Sequence, residues 1–124
     1  MVFETMENKE GLIWYDGNLV DWKDAKLHVL THGLHYASSV FEGERSYSGR
    51  IFKLHEHTER LLYSASELDF EIPYSIDEIK QASYLTLEKN NLVDAYIRPI
   101  AWRGAETVGV SAQNTKIHFA IAVW

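Results

Sequence analysis

At 124 residues the chain suits a single domain, and with 46% hydrophobic residues it can bury a core without cross-links. The absence of cysteine excludes a disulfide scaffold and a thiolate metal site, and a net charge of -6 argues against broad nucleic-acid binding, since nothing would neutralise a run of phosphates. No apolar stretch approaches the roughly 20 residues that span a bilayer, so neither membrane nor nucleic acid is an expected partner.

The opening, Met1-Val2-Phe3-Glu4-Thr5-Met6-Glu7, is acidic and lacks the basic-then-apolar pattern of an export signal, which makes the cytoplasm the expected location. Residues 1–10 read as a tail and residues 11–124 as one small domain. Gly11 to Trp22 predicts a hairpin, with an apolar run at Leu12 to Tyr15, a turn at Asp16-Gly17-Asn18 and a return at Leu19 to Trp22. Lys26 to Leu30 reads as a short strand, whereas Thr31 to Ser38 fits no single period. Ser39 to Tyr47 alternates, which puts Phe41, Gly43, Arg45 and Tyr47 on one face. Ser48-Gly49 then turns the chain into a strand from Ile51 to Leu54.

From there the spacing becomes helical. His55 to Leu68 sets Leu54, Leu61, Ala65 and Leu68 on one stripe. Ser75 and Glu78 form the S-x-x-E capping box of a second helix, whose Ile76, Ile79, Ser83 and Leu87 share a face and whose stop is Asn90-Asn91. Strands return at Ala95 to Arg103 and Lys116 to Trp124. The last is apolar on both faces, the mark of a strand covered on both sides. It stops without a turn residue or polar tail, so the natural protein is expected to continue beyond it. This order predicts an α+β domain, an antiparallel sheet with two helices packed on one side.

Arg98 is the oddest residue by pattern, because it shares a strand face with Tyr96, Ile100 and Trp102. A guanidinium among such side chains is costly to bury unless it meets an anion, and its fork of donors suits a carboxylate. The plainer reading is a rim arginine paired with one of the many acids. For Arg60 the plain reading is a surface pair with Glu56, one helical turn earlier, worth roughly a few tenths of a kcal/mol. Gly43 in mid-strand calls for a bulge or a close ligand. Phe41 and Arg45 flank it on the same face, where core packing and a solvent-facing rim explain them equally well. The six histidines match no zinc spacing, so no metal is expected. Lys9, Lys23, Lys26, Lys53, Lys80, Lys89 and Lys116 sit at strand ends, in turns or among polar residues, and none has the desolvated setting of a Schiff-base lysine.

Five runs then carry a resemblance: Ile13-Trp14-Tyr15-Asp16-Gly17, His32-Gly33-Leu34-His35-Tyr36, Ser39-Val40-Phe41-Glu42-Gly43-Glu44-Arg45, Glu56-His57-Thr58-Glu59-Arg60-Leu61 and Ala95-Tyr96-Ile97-Arg98-Pro99. In that order, from about Ile13 to the end of the chain, they resemble the N-terminal domain of branched-chain aminotransferases, which are fold-type IV pyridoxal-phosphate enzymes. The Phe-Glu-Gly and Tyr-Ile-Arg-Pro pieces favour the branched-chain members over D-amino acid aminotransferases. Three further functions compete with this one: a D-amino acid aminotransferase and a lyase acting on aminodeoxychorismate, both from the same fold class, and a non-catalytic binding domain.

The resemblance implies amino transfer between leucine, isoleucine or valine and 2-oxoglutarate, with pyridoxal 5'-phosphate as cofactor, in a homodimer or higher homo-oligomer with shared active sites. It implies that Arg60 binds the cofactor's phosphate, which reverses the plain reading. Tyr96 and Arg98 would line the substrate pocket with Phe41, Gly43 and Arg45. Tyr36 and the loop at Gly109-Val110 would reach into the neighbouring subunit's site. The Schiff-base lysine, the acid at the pyridine nitrogen and most of the phosphate cradle would lie in a second domain beyond Trp124. No catalytic residue is then expected in this chain, and the chain alone is expected to be inactive.

Overall fold

The computed structural model describes residues 5–124, so the first four residues of the expected tail lie outside it. Strands β1 (Leu12–Tyr15) and β2 (Asn18–Asp21) pair with Tyr15 opposite Asn18, leaving Asp16 and Gly17 alone in the turn. Their φ angles of 48° and 98° are those a two-residue turn needs if its twist is to match the strands.

Lys26 to Leu30 is not a strand. Leu30 N donates to His28 Nδ1 and Thr31 N to His28 O, so local bonds around His28 curl the chain instead of leaving it extended. The ambiguous stretch that follows contains a short helix, α1 (His32–Tyr36), ended by Ala37 at φ 56°.

Alternation holds from Phe41 to Tyr47: Phe41, Gly43, Arg45 and Tyr47 face out while Glu42, Glu44 and Ser46 are buried. The expected single strand is nonetheless two, β3 (Ser39–Phe41) and β4 (Glu44–Tyr47). Both pair with β6 (Ala95–Arg103), Phe41 opposite Ile100 and Glu44 opposite Ile97. Between them Glu42 N donates to Pro99 O, and the reciprocal bond cannot form because proline has no N–H. The ladder therefore lapses at Glu42-Gly43, a point that matters for the site.

The strand expected over Ile51 to Leu54 shrinks to β5 (Arg50–Ile51), because Lys53 turns left-handed at φ 57° and Leu54 already opens a helix. That helix, α2 (Leu54–Glu67), buries Leu54, Thr58, Leu61 and Ala65. Leu68 does not extend the stripe. It lies past the helix end and is exposed, and left-handed Asp69 swings Phe70 into the core in its place. Helix α3 (Ile76–Lys89) has the expected box: Ser75 Oγ accepts from Glu78 N, and Glu78 Oε1 accepts from Ser75 N. Asn91 at φ 53° supplies the left-handed stop.

With β7 (Ile117–Val123) the strand order is β2-β1-β7-β6-β4-β5, antiparallel throughout, β3 sharing β6. The two long helices cover one face over Trp14, Leu61, Ile79, Ile97, Phe119 and Ile121, each such side chain contributing about 1.5–3 kcal/mol by burial. The opposite face carries a smaller cluster of Ile13, Trp22, Trp102 and Ala120. Apolar cover on both sides accounts for the two-faced pattern of β7. The domain is α+β, an antiparallel sheet with two helices on one side. Among the described residues no helix is long and apolar enough to cross a membrane.

Candidate active site

Because β6 alternates, Tyr96, Arg98, Ile100 and Trp102 point away from the long helices. The Arg98 guanidinium carbon lies 4.6 Å from the Phe41 ring centre, 5.2 Å from that of Tyr96 and 5.9 Å from that of Trp124. Arg98 Nη2 donates to Tyr96 Oη at 2.8 Å, while its buried Nε has no partner. This is not the rim arginine paired with an acid. Aromatic faces hold the cation, each worth about 0.5–2 kcal/mol, and a donor is left over for an oxyanion. An apolar cavity of about 260 Å³ adjoins it, lined by Arg98, Ile100, Trp102, Tyr15, Leu27 and Leu34 among others.

Gly43 has a steric reason. A Cβ there would stand 2.5 Å from Tyr96 Oη, so only glycine lets that hydroxyl reach across to Arg98. Arg45 sits opposite Tyr96 in the ladder and is exposed. Phe41, Gly43, Tyr96 and Arg98 are thus brought together, with Arg45 beside them. Trp124, whose ring centre is 4.8 Å from that of Tyr96, completes the wall, and nothing in its pattern singles it out.

Arg60 belongs to the other face. Its partner is Glu42, 18 residues away, and not Glu56: Nε donates to Glu42 Oε2 and Nη2 to Oε1, both at 2.7 Å. His57 Nδ1 donates to the same Oε1 at 2.8 Å. The Arg60 hydrogen bonds hold the Glu42 carboxyl below the usual carboxylate range, against its burial and with help from His57. Glu44, two residues on and facing the same way, is 3% exposed with Oε1 unpartnered. Burial, reinforced by the charge of Glu42, pushes its carboxyl up to about 8. Neither acid is singled out from the sequence; the signal that could have found them is the alternation, which sets them on the face opposite Phe41.

Tyr36 and Val110 form a separate group. His32 joins them, its ring 4.6 Å from that of Tyr36 and its Nε2 3.2 Å from Val110 O. Both project: Tyr36 is 47% exposed and Val110 77%. The neighbouring histidines make local bonds, His28 to Leu30 N and His35 to Val29 O. Among the described residues no group of three or more His, Asp or Glu converges as a metal site requires.

One histidine does link distant parts. His118 Nδ1 lies 2.5 Å from Asp16 Oδ2 and Nε2 lies 2.7 Å from Glu106 Oε2, while Glu106 Oε1 takes Lys116 N. The cluster ties the β1–β2 turn to the 104–116 loop that carries Val110. Burial works to lower the His118 pKa, but the hydrogen bonds and charges of Asp16 and Glu106 outweigh it, and the net shift is upward. A histidine raised above its unfolded value stabilises fully below that value and loses the contribution as pH rises through the folded one. Amide exchange in residues 105–115, corrected for intrinsic rates, is therefore expected to quicken severalfold as pH rises past the folded value. His118→Gln should abolish that step, and an unchanged step would place its origin elsewhere.

The family model for class IV amino-transferases matches residues 39–123. A branched-chain-amino-acid aminotransferase of Pseudomonas aeruginosa is 48% identical over 124 residues, covering 97% of this chain and 40% of its own length. The Escherichia coli branched-chain amino acid aminotransferase structure superposes with a TM-score of 0.88 at 40% identity, over 94% of this chain and 40% of that one. The T.th. branched-chain amino acid aminotransferase complexed with N-(5'-phosphopyridoxyl)-L-glutamate gives a TM-score of 0.88 at 40% identity, over 94% and 41%. The chain spans about 40% of the length of these relatives. The family match takes in every strand from β3 to β7, both long helices, and Phe41, Gly43, Arg60, Tyr96 and Arg98, and on it the chain belongs to the class IV amino-transferases, with the fold of the N-terminal domain of the branched-chain members.

Proposed function

We propose that this chain is the small domain of a cytoplasmic aminotransferase that moves the amino group between leucine, isoleucine or valine and 2-oxoglutarate, using pyridoxal 5'-phosphate in a homo-oligomer. The Arg98 box carries the reading. In one half-reaction the pocket must accept an aliphatic side chain, and in the other the second carboxylate of glutamate must fit the same space. An apolar cavity with Tyr15 and Trp102 in its lining, and at its edge one guanidinium that rests on the Phe41 ring and has an unpartnered Nε, suits both. Arg98 pairs with the glutamate side-chain carboxylate and otherwise rests on Phe41, Tyr96 and Trp124. The glutamate adduct carried by the T.th. relative supports a ligand of this kind.

The cofactor, when bound, supplies the electron sink for the reaction. Arg60 fits its phosphate, because pairing with Glu42 uses only the Nε and Nη2 edge and the side chain remains 66% exposed. Phe41, Gly43 and Tyr96 orient the substrate and keep water from its side chain, with Arg45 at the rim. The projecting Tyr36 and Val110 serve the neighbouring subunit's site. Among the described residues no lysine is buried, and a Schiff-base lysine needs desolvation to work as a free amine. We assign that role to the part of the protein beyond the matched share of its relatives, and the isolated chain is inactive in this reading.

The test is a substrate panel on the full-length protein that carries this chain. Leucine, isoleucine and valine should each convert 2-oxoglutarate to glutamate, with D-alanine a poor donor and no pyruvate released from aminodeoxychorismate. Preference for D-alanine, or pyruvate release, would reassign the protein within its class, and no turnover with any donor would leave a binding domain.

A further inference from the structure

We propose that Glu42 is the positioning residue for Arg60, a buried carboxylate that grips the guanidinium along one edge and turns the other edge toward a phosphate. The inference rests on the reading of Arg60 as the cofactor's phosphate ligand. A guanidinium presents two forks, one made by Nε with Nη2 and the other by Nη1 with Nη2. Glu42 takes the first with both of its oxygens at 2.7 Å. Both Nη1 hydrogens and the second Nη2 hydrogen remain, on a side chain 66% exposed against 5% for Glu42. The fork left open is the one that matches two oxygens of a phosphate.

The grip works because Glu42 is itself fixed. Its backbone N donates to Pro99 O at 3.1 Å where the ladder of β3 and β4 with β6 lapses, and His57 Nδ1 donates to Oε1 at 2.8 Å. A carboxyl held below its usual range stays ionised through the physiological range, so the anchor does not let go as pH varies. An arginine on an exposed helix face would otherwise sample many rotamers. Tied to Glu42, its open fork has one direction. The neighbours of Glu42 along the chain, Phe41 and Gly43, belong to the substrate wall on the opposite face. A single dipeptide step thus registers the phosphate ligand against the substrate pocket.

The experiment compares pyridoxal 5'-phosphate with pyridoxal, the same ring without its phosphate, by equilibrium dialysis against the full-length protein. Glu42→Gln should weaken pyridoxal 5'-phosphate at least tenfold and leave pyridoxal unchanged. Arg60→Ala should show the same selective loss, and adding Glu42→Gln to it should change nothing further. If Glu42→Gln binds the phosphate form as tightly or more tightly, Glu42 is a competitor and the proposal is overturned. Equal losses for both ligands would also overturn it, since they mark a purely structural pair. If Arg60→Ala itself leaves the phosphate form unaffected, the reading of Arg60 has failed, a separate result. Should Glu42→Gln not fold, Glu42→Asp keeps the charge but withdraws it by one methylene. It should give the same selective loss, and undiminished binding of the phosphate form would again overturn the proposal.

Discussion

Glu44→Gln is expected to stabilise the protein relative to the parent, by a margin that grows between pH 4.5 and about 8. The parent carboxyl is lifted from 4.5 to about 8 by burial first and the charge of Glu42 second. Across that window the acid is ionised in the unfolded chain and protonated in the fold, so folding takes up a proton. Stability is fully present below the unfolded value and falls by about 1.4 kcal/mol per pH unit as pH rises. The loss is on the order of 3 kcal/mol by pH 7 and levels off above the folded value. Glutamine keeps the shape and cannot ionise. Any difference between the bonds of its amide and those of the neutral acid is independent of pH, so the slope is what decides. Urea unfolding at intervals from pH 4 to 9, followed by tryptophan fluorescence, gives the difference between variant and parent. A flat difference would show that Glu44 ionises in the fold as it does in water.

The features legible in the residues were those settled within a few positions. Asp16-Gly17 needs two positive φ angles, and Ser75 with Glu78 satisfies its own helix end, so hairpin and helix start could be read directly. Arg98 stood out because its strand face is otherwise aromatic and aliphatic, and that oddity survives as the aromatic box. The misreadings come from long-range partners at Arg60, Glu44 and Glu42-Gly43, and from local turns at His28, Lys53 and Asp69. Arg60 looked like half of a surface pair with Glu56 because Glu42, 18 residues away, reaches it only once β3 lies along α2. Glu44 reads as an ordinary acid until the sheet closes over it. The break at Glu42-Gly43 is caused by Pro99 on another strand, which no local pattern of residues 39–47 could reveal. Leu68 continued a helical stripe arithmetically, but a left-handed Asp69 gave its place to Phe70. The roles of Arg60, Tyr36 and Val110 rested on resemblance alone.

Arg98→Met is expected to divide the two half-reactions. With glutamate as donor, kcat/KM should fall roughly 10²–10³-fold, while leucine should stay within about threefold of the parent. A carboxylate brought into an apolar cavity and left without its cation loses about 3–4 kcal/mol, which sets the first figure. Methionine is flexible and apolar and fills most of the same space, so the wall that meets an aliphatic chain survives. Tyr96 Oη loses one hydrogen-bond donor in the variant, but the ring stays held by Trp124. Single-turnover kinetics in the full-length protein, one donor at a time, separates the two cases, because steady-state turnover would report only the slower half. Equal losses for both donors would mean that Arg98 supports the shape of the aromatic box and does not read the carboxylate. A loss confined to leucine would contradict the pocket assignment itself. If glutamate is instead unaffected, the unpartnered Nε of Arg98 answers to some other anion, and the cation that distinguishes the acidic substrate must be sought at Arg45 on the rim.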